Sequence, residues 1–461
     1  MPADTMRALR VTSPFSQEVV AEVPWDTATG VDSKLDRARQ AQGRWRTVPL
    51  EKRMSELAAA LAYFRGAAEE IARDVSLQMG KPIAQARREV DTMLARAEHL
   101  IVIGKYALAP DVLPAPSGMK FRIEHHPVGV VLDIAAWNYP LLVPVNVVVP
   151  ALLAGNSVLL KHSPLTPLCG VHFERAFASL SVPNLVQNVV VENKRAEELI
   201  EDSRIDYVAF TGSVATGRKV HRATAKRGIG AGLELGGKDP AYVAEDADVL
   251  VAAQSVVDGA CYNAGQSCCA VERVYVHESL YEAFLERART EIKQYRMGDP
   301  LDVRTNMGPL ARREGVETVA SHVEDAVLRG AKVLAGGRRV TGKAWFFEPT
   351  LIAGVPNEAL AMREESFGPI VPVASVASDE EAIARMNDSR YGLTASVWTK
   401  SCERAERFAK EIEAGTVYQN RCDYLDPALP WTGWKDSGMG STLSRYGFLG
   451  LTKRKSVHFR G

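Results

Sequence analysis

The chain has 461 residues, 46% of them hydrophobic and 24% charged, with 56 lysines and arginines against 56 aspartates and glutamates. At about 150 residues per domain this is a prior of roughly three domains of ordinary soluble composition. Zero net charge gives no global field for nucleic acid or an anionic membrane, and the most apolar stretch, Leu141 to Ala154, is too short to span a bilayer and is interrupted by Pro144, Asn146 and Pro150.

Met1-Pro2-Ala3-Asp4 has no charged region followed by an apolar one, so no secretory leader is expected. The first hundred residues read as helix: apolar positions recur at helical spacing from Leu50 to Met79, Gly80 supplies a C-cap and Lys81-Pro82 starts the next helix. From Phe121 the pattern turns to alternation, as in a hairpin arm or edge strand, and Val130 to Ile134 reads as a strand. Short apolar strands then alternate with helices. Strands are expected at Ser157–Lys161, Gln187–Val191 and Tyr207–Thr211, and helices at Pro167–Ala178, Arg195–Glu201 and Ala215–Ala225. A second such stretch follows: helix Asp246–Val257, strand Val271–Val276, helices Leu280–Tyr295 and Arg313–Arg329, and strand–helix pairs through Val417. A final strand is expected at Lys455–Phe459. Alternation of this kind predicts βαβ units, hence two consecutive α/β lobes with an appended arm.

Six cysteines are too few for a disulfide scaffold, none has C-x-x-C spacing, and the nine histidines form no H-x-x-x-H pair, so no metal site is expected. Cys169, Cys402 and Cys422 read as small buried hydrophobes. Cys268, in Asn263-Ala264-Gly265-Gln266-Ser267-Cys268-Cys269, follows small residues that let backbone amides approach an oxyanion, which suits a thiolate nucleophile. Glu234-Leu235-Gly236-Gly237-Lys238 sets a carboxylate beside two glycines, a fit for a general base. Trp137-Asn138-Tyr139-Pro140 ends a strand where ligands sit in open sheets, with Asn138 as an oxyanion donor. Phe210-Thr211-Gly212-Ser213 opens a helix suited to phosphate, Gly217 following, and Lys161 is in reach of a ribose or phosphate. In Glu364-Glu365-Ser366-Phe367-Gly368-Pro369 a carboxylate suits ribose hydroxyls and Phe367 a flat ring. Each segment alone has a plainer reading, as a buried cysteine pair, an exposed turn glutamate, an Asn turn, a lone Gly-Ser turn or a charged loop.

Together and in this order, the five segments resemble the aldehyde dehydrogenase superfamily over essentially the whole chain. The match covers Gly265-Gln266 and Cys268 of its G-Q-x-C segment, Glu234 to Lys238, Trp137 to Pro140, Phe210 to Ser213 and Glu364 to Pro369. Trp434 to Gly438 and Tyr446-Gly447 resemble its ending. The resemblance implies an α/β fold of two Rossmann-like open twisted sheets with a β-arm. It divides the chain into a cofactor-binding domain (1–109 and 128–235), a catalytic domain (236–436), and an arm and tail (110–127 and 437–461) that assemble dimers or tetramers. It implies an NAD(P)-dependent oxidation in which Cys268 forms a thiohemiacetal and then a thioester, Asn138 holds the oxyanion and Glu234 activates water. Trp137, Lys161, Ser163, Gly212, Ser213, Gly217, Leu235, Gly236, Glu365 and Phe367 are implied to bind the cofactor. Tyr139, Leu142, Val143, Asn146, Ser267, Cys269, Arg421, Tyr424 and Trp431 are implied to bind substrate.

Three positions depart from the family pattern. Pro164 stands where NAD-preferring members often have a glutamate, so NADP is not repelled and a modest NAD preference is expected. Val147 replaces a proton-relaying lysine, and Ala136 replaces the proline before Trp137. The mostly apolar and aromatic tunnel favours an aliphatic or aromatic aldehyde. Succinate semialdehyde ranks second, because Asn146 stands where that subgroup often has arginine; Arg421 is a substitute cation, with pairing to Asp423 its plainer role. An acylating enzyme that uses coenzyme A is disfavoured by Glu234, and a non-catalytic binding protein by the retention of Cys268, Glu234 and Asn138. Oxidation of Cys268 with Cys269 is a further expectation. A free nucleophilic thiol points to a reducing cytoplasm.

Overall fold

A computed structural model describes residues 7–461; Met1 to Asp4, on which the reading of the leader rests, lie outside the described residues. The chain opens not as helix but as an antiparallel hairpin, Ala8–Thr12 against Val19–Pro24. The reason is local: β-branched Val11, Val19, Val20 and Val23 flank a turn at Pro14, and their alternation outweighs the helical pattern that starts later. Four helices follow, Ala28–Trp45, Leu50–Gly66, Ala68–Met79 and Ile83–Ala107. The apolar run from Leu50 is therefore broken at Ala67, while Gly80 closes the third helix in the left-handed conformation (φ 85°).

Two open sheets carry the molecule. In the first, six strands lie in the order Gly438–Met439, Gly230–Glu234, Tyr207–Thr211, Val130–Ala135, Ser157–His162 and Val186–Asn188. All pair in parallel except the short Gly438–Met439 edge. Successive crossovers leave Val130–Ala135 in opposite directions, which opens a crevice at its carboxyl end. Leu142–Ala154, the proline-interrupted stretch, is a helix buried along most of its length beneath this sheet. Hydrophobic residues on every face make that burial favourable, and packing compensates for the hydrogen bond that Pro150 cannot donate.

The second sheet has seven strands in the order Lys332–Ala335, Thr350–Ala353, Ile370–Val376, Val271–His277, Asp239–Val243, Thr394–Trp398 and Thr416–Gln419. Its first pair is antiparallel and the rest are parallel. Helices on both faces bury its central strands. Met119–Pro127 pairs antiparallel with both Asp111–Leu113 and the C-terminal strand Thr452–Arg460, forming a separate three-stranded arm. No helix among the described residues is long and apolar enough to cross a membrane.

Candidate active site

A cavity of about 1070 Å³ draws its walls from both sheets and gathers all but one of the expected site residues. The nucleophile loop begins where helix Val249–Cys261 ends. Asn263 (φ 53°), Ala264 (φ 57°) and Gly265 (φ 71°) follow in the left-handed region, a costly run for non-glycine residues. Side chains hold it there. Asn263 Nδ2 donates to the carbonyls of Asn138 (3.0 Å) and Gln266 (3.1 Å), and Gln266 Nε2 donates back to the carbonyl of Asn263 (3.0 Å). A Cβ on Gly265 would lie 2.3 Å from the carbonyl oxygen of Gly368, and one on Gly237 would lie 2.3 Å from that of Cys268. These two glycines let three segments close on one point. Cys268 stays half-buried at the cavity wall, whereas Cys269 is 2% exposed and donates to the Asp423 carboxylate at 3.0 Å. The adjacent Cys268 thiol and then burial push the Cys269 thiol up, so it stays protonated.

Asn138, 6% exposed, donates through Nδ2 to the Gln266 carbonyl at 3.2 Å. An amide nitrogen has two hydrogens, so one remains for an oxyanion. Glu234 ends its strand facing the same cavity. Burial pushes its carboxyl up to about 7, opposed by a hydrogen bond from Thr442 Oγ1 and by the Arg96 guanidinium. A carboxylate poised near neutrality suits a general base.

The family model for the aldehyde dehydrogenase family matches residues 1–457. An aldehyde dehydrogenase of Paenarthrobacter nicotinovorans is 36% identical over 94% of this chain and 95% of its own. The NADP-dependent succinate-semialdehyde dehydrogenase of Deinococcus radiodurans is 32% identical over 98% and 94% respectively. The crystal structure of an NAD-dependent aldehyde dehydrogenase from Sinorhizobium meliloti superposes with a TM-score of 0.94 at 33% identity, covering 98% of this chain and 91% of that one. The chain belongs to the aldehyde dehydrogenase family.

In this aldehyde dehydrogenase the expected cofactor residues share the other end of the cavity. Ser213 caps helix Val214–Arg227, its Oγ accepting from the Thr216 amide at 3.4 Å, and the Gly212 amide donates to the Glu234 carbonyl at 3.0 Å. Burial lowers Lys161 to about 8, and its ammonium donates to Asn193 Oδ1 at 3.1 Å. Burial raises Glu365 to about 8; its Oε1 accepts only the Gly237 amide, at 3.1 Å, which leaves oxygen free for ribose hydroxyls. Trp137 and Phe367 meet edge-to-face at 5.7 Å, and Ser163, Leu235 and Gly236 complete the wall. Gly217 does not reach the cavity. A Cβ there would lie 2.4 Å from Leu235, so its part is helix–strand packing.

Tyr139, Leu142, Val143, Asn146, Ser267, Cys269, Tyr424 and Trp431 line the remaining wall. Arg421 lines it too, but does not pair with Asp423. Its guanidinium lies 3.3 Å from the centroid of the Tyr424 ring. The left-handed backbone of Asp423 (φ 46°) turns that carboxylate to Ser267 Oγ (3.0 Å) and Cys269 instead. The sequence reading missed Lys81, Glu89, Arg96, Asp423 and Thr442. Lys81 forms a buried ion pair with Glu89, and Arg96 lines the cavity from the same helix as Glu89. Glu89, Met93, Arg96 and Leu100 follow at helical spacing and are all buried, so charges on an apolar face were the available signal. Outside the cavity, Glu70, Asp74 and His172 are near enough to one another for a metal, but both His172 ring nitrogens already bond Tyr63 and Asp74.

Proposed function

We propose that the enzyme oxidises an aldehyde to its carboxylic acid through an ester of Cys268. Cys268 Sγ bonds to the carbonyl carbon, and the resulting oxyanion takes the free Asn138 Nδ2 hydrogen and the Cys268 amide. A nicotinamide dinucleotide held by Trp137, Glu365 and Phe367 would supply the hydride acceptor, and loss of hydride from that carbon leaves a thioester on Cys268. Glu234 then takes a proton from water, the hydroxide bonds to the thioester carbon, and the C–S bond breaks to release the acid and the thiolate. Val147 cannot relay protons, so deacylation relies on Glu234, its Thr442 hydrogen bond and water. The observation that carries this reading is a half-buried Cys268 in one cavity with Asn138 and a glutamate pushed up to about 7.

Lys161, Ser163, Ser213, Glu365, Trp137 and Phe367 are the residues that fit the dinucleotide, in the domain 1–109 and 128–235 and its border with 236–436. Both NAD and NADP are accommodated, because Pro164 at the cavity wall repels no 2′-phosphate. A modest preference for NAD is part of this reading, and initial rates with the two cofactors test it. The arm and tail, 110–127 and 437–461, carry exposed Val112, Leu113 and Phe459, which supports assembly as a dimer or tetramer. A nucleophile that must remain a free thiol fits the cytoplasm.

Rapid mixing with an aldehyde panel tests the mechanism. A burst of NAD(P)H is expected, and Glu234→Gln should keep the burst, lose turnover and accumulate an acyl group on the Cys268 peptide by mass spectrometry. A Glu234→Gln enzyme with unchanged turnover refutes the assigned base.

A further inference from the structure

Beyond its field at Glu234, Arg96 has donors that the oxidation of an aldehyde leaves unexplained. Its residue is 4% exposed, and it lines the cavity from helix Ile83–Ala107, opposite Asn146 of helix Leu142–Ala154. A guanidinium has five N–H donors, and among the described residues only Nη1 is used, donating to Asn146 Oδ1 at 3.1 Å. Nε is buried with no partner. No carboxylate among the described residues forms an ion pair with it, although buried charges are normally paired.

The other cations of the cavity are accounted for. Lys81 is paired with Glu89, and Lys161 donates to Asn193 among the cofactor residues. Arg312 stacks on Trp137 and the exposed Arg421 on Tyr424. Arg88 and Lys219 are exposed at the wall. Arg96 is thus a deeply buried cation with donors to spare, and near enough to Glu234 for the two charges to interact. Of the neighbouring acids, Glu89 is matched by Lys81, Asp423 is held by Ser267 and Cys269, and Glu234 is reserved for water.

We propose that Arg96 binds a carboxylate on the substrate, so that the aldehyde is a short-chain semialdehyde with its acid a few carbons from the carbonyl. The inference rests on the proposed oxidation and names its substrate class. The planar fork accepts a carboxylate through two parallel hydrogen bonds, which a neutral chain end cannot offer. Proximity to Glu234 keeps the chain short, because the carbonyl must reach Cys268 in the same cavity.

The test compares 4-oxobutanoate with its methyl ester, which has the same chain without the charge. The wild-type enzyme should show kcat/KM about 100-fold higher for the acid, the scale of a desolvated charged pair. Arg96→Met should collapse the acid-to-ester ratio toward about 1, whatever loss is common to both, and Arg96→Lys should lie between. A wild-type ratio near 1 overturns the proposal. So does an Arg96→Met variant that slows both substrates equally, since Arg96 would then act only through Glu234. A second measurement needs neither variant nor turnover: succinate should slow alkylation of wild-type Cys268 by iodoacetamide, and dimethyl succinate should not. Equal effects of the two overturn the anion site. Protection by succinate in an enzyme that oxidises no aldehyde would support the site while refuting the oxidation on which it was built.

Discussion

The Lys81 ammonium donates to the backbone carbonyl of Asn138 at 2.9 Å and also pairs with Glu89, both charges being out of solvent. Glu89 in turn accepts the amides of Leu141 (2.9 Å) and Leu142 (3.4 Å), so one ion pair grips the oxyanion segment on both sides of Tyr139-Pro140. Lys81→Met should destabilise the fold by about 3–5 kcal/mol, because it strands a buried carboxylate. It should also slow acylation about tenfold or more by loosening Asn138. Thermal unfolding and the amplitude and rate of the NAD(P)H burst read the two effects separately. A variant with wild-type burst rate would show that Asn138 is held by its own loop.

The Thr442 hydroxyl donates to the Glu234 carboxylate and favours its ionised form. Removal in Thr442→Val favours the protonated form, so the Glu234 pKa rises above its present value of about 7. The acid limb of the deacylation rate should then move to higher pH, with activity lost at neutral pH and largely recovered in alkali. A pH profile of steady-state turnover, compared with that of the burst, checks this; an unshifted limb would mean that the bond is absent during turnover.

The last residue of the Glu234 motif does mechanical rather than chemical work. Lys238 Nζ is buried, paired with Glu272 Oε2 at 2.6 Å and bonded to Ser366 Oγ at 3.0 Å. Glu272 also accepts the amides of Ser366 (2.7 Å) and Phe367 (2.9 Å), so this pair fixes the segment that carries Glu365 and the left-handed Phe367 (φ 50°). Glu272→Gln should raise the KM for the dinucleotide several-fold, with a smaller effect on the KM for aldehyde, and lower the melting temperature. Equal effects on the two KM values would refute the strap.

Strand–helix alternation made the two sheets readable, because period and turn chemistry act locally. The hairpin Ala8–Thr12 to Val19–Pro24 was missed because strands of five and six residues give little periodicity beside long helices. The helix Leu142–Ala154 carries no amphipathic signal, since both its surroundings and its residues are apolar. At the site, motif residues in short contiguous runs were legible: Cys268, Glu234 and Asn138 meet in one cavity. Arg96 and Thr442 were not, because each is isolated in sequence and joins the site only through packing of distant elements. The expected Arg421–Asp423 pair failed on backbone conformation, which neighbouring residue types do not reveal.

Cys268 and Cys269 are adjacent yet chemically distinct. Both border the cavity, but Cys268 is half-buried there, while Cys269 is buried, held protonated and tied to Asp423. Since thiolate, not thiol, attacks electrophiles, limiting iodoacetamide should modify Cys268 and abolish activity in proportion. Cys268→Ala should cost at least about a thousandfold in kcat, equivalent to about 4 kcal/mol of barrier. Cys269→Ala removes a packed thiol and a donor to Asp423, and should cost about tenfold or less. Peptide mapping of the alkylated protein, with activity followed in the same samples, decides between the two sulfurs. Inactivation that tracks modification of Cys269 instead would transfer the nucleophile to the buried thiol and remove the basis for the Asn138 oxyanion site.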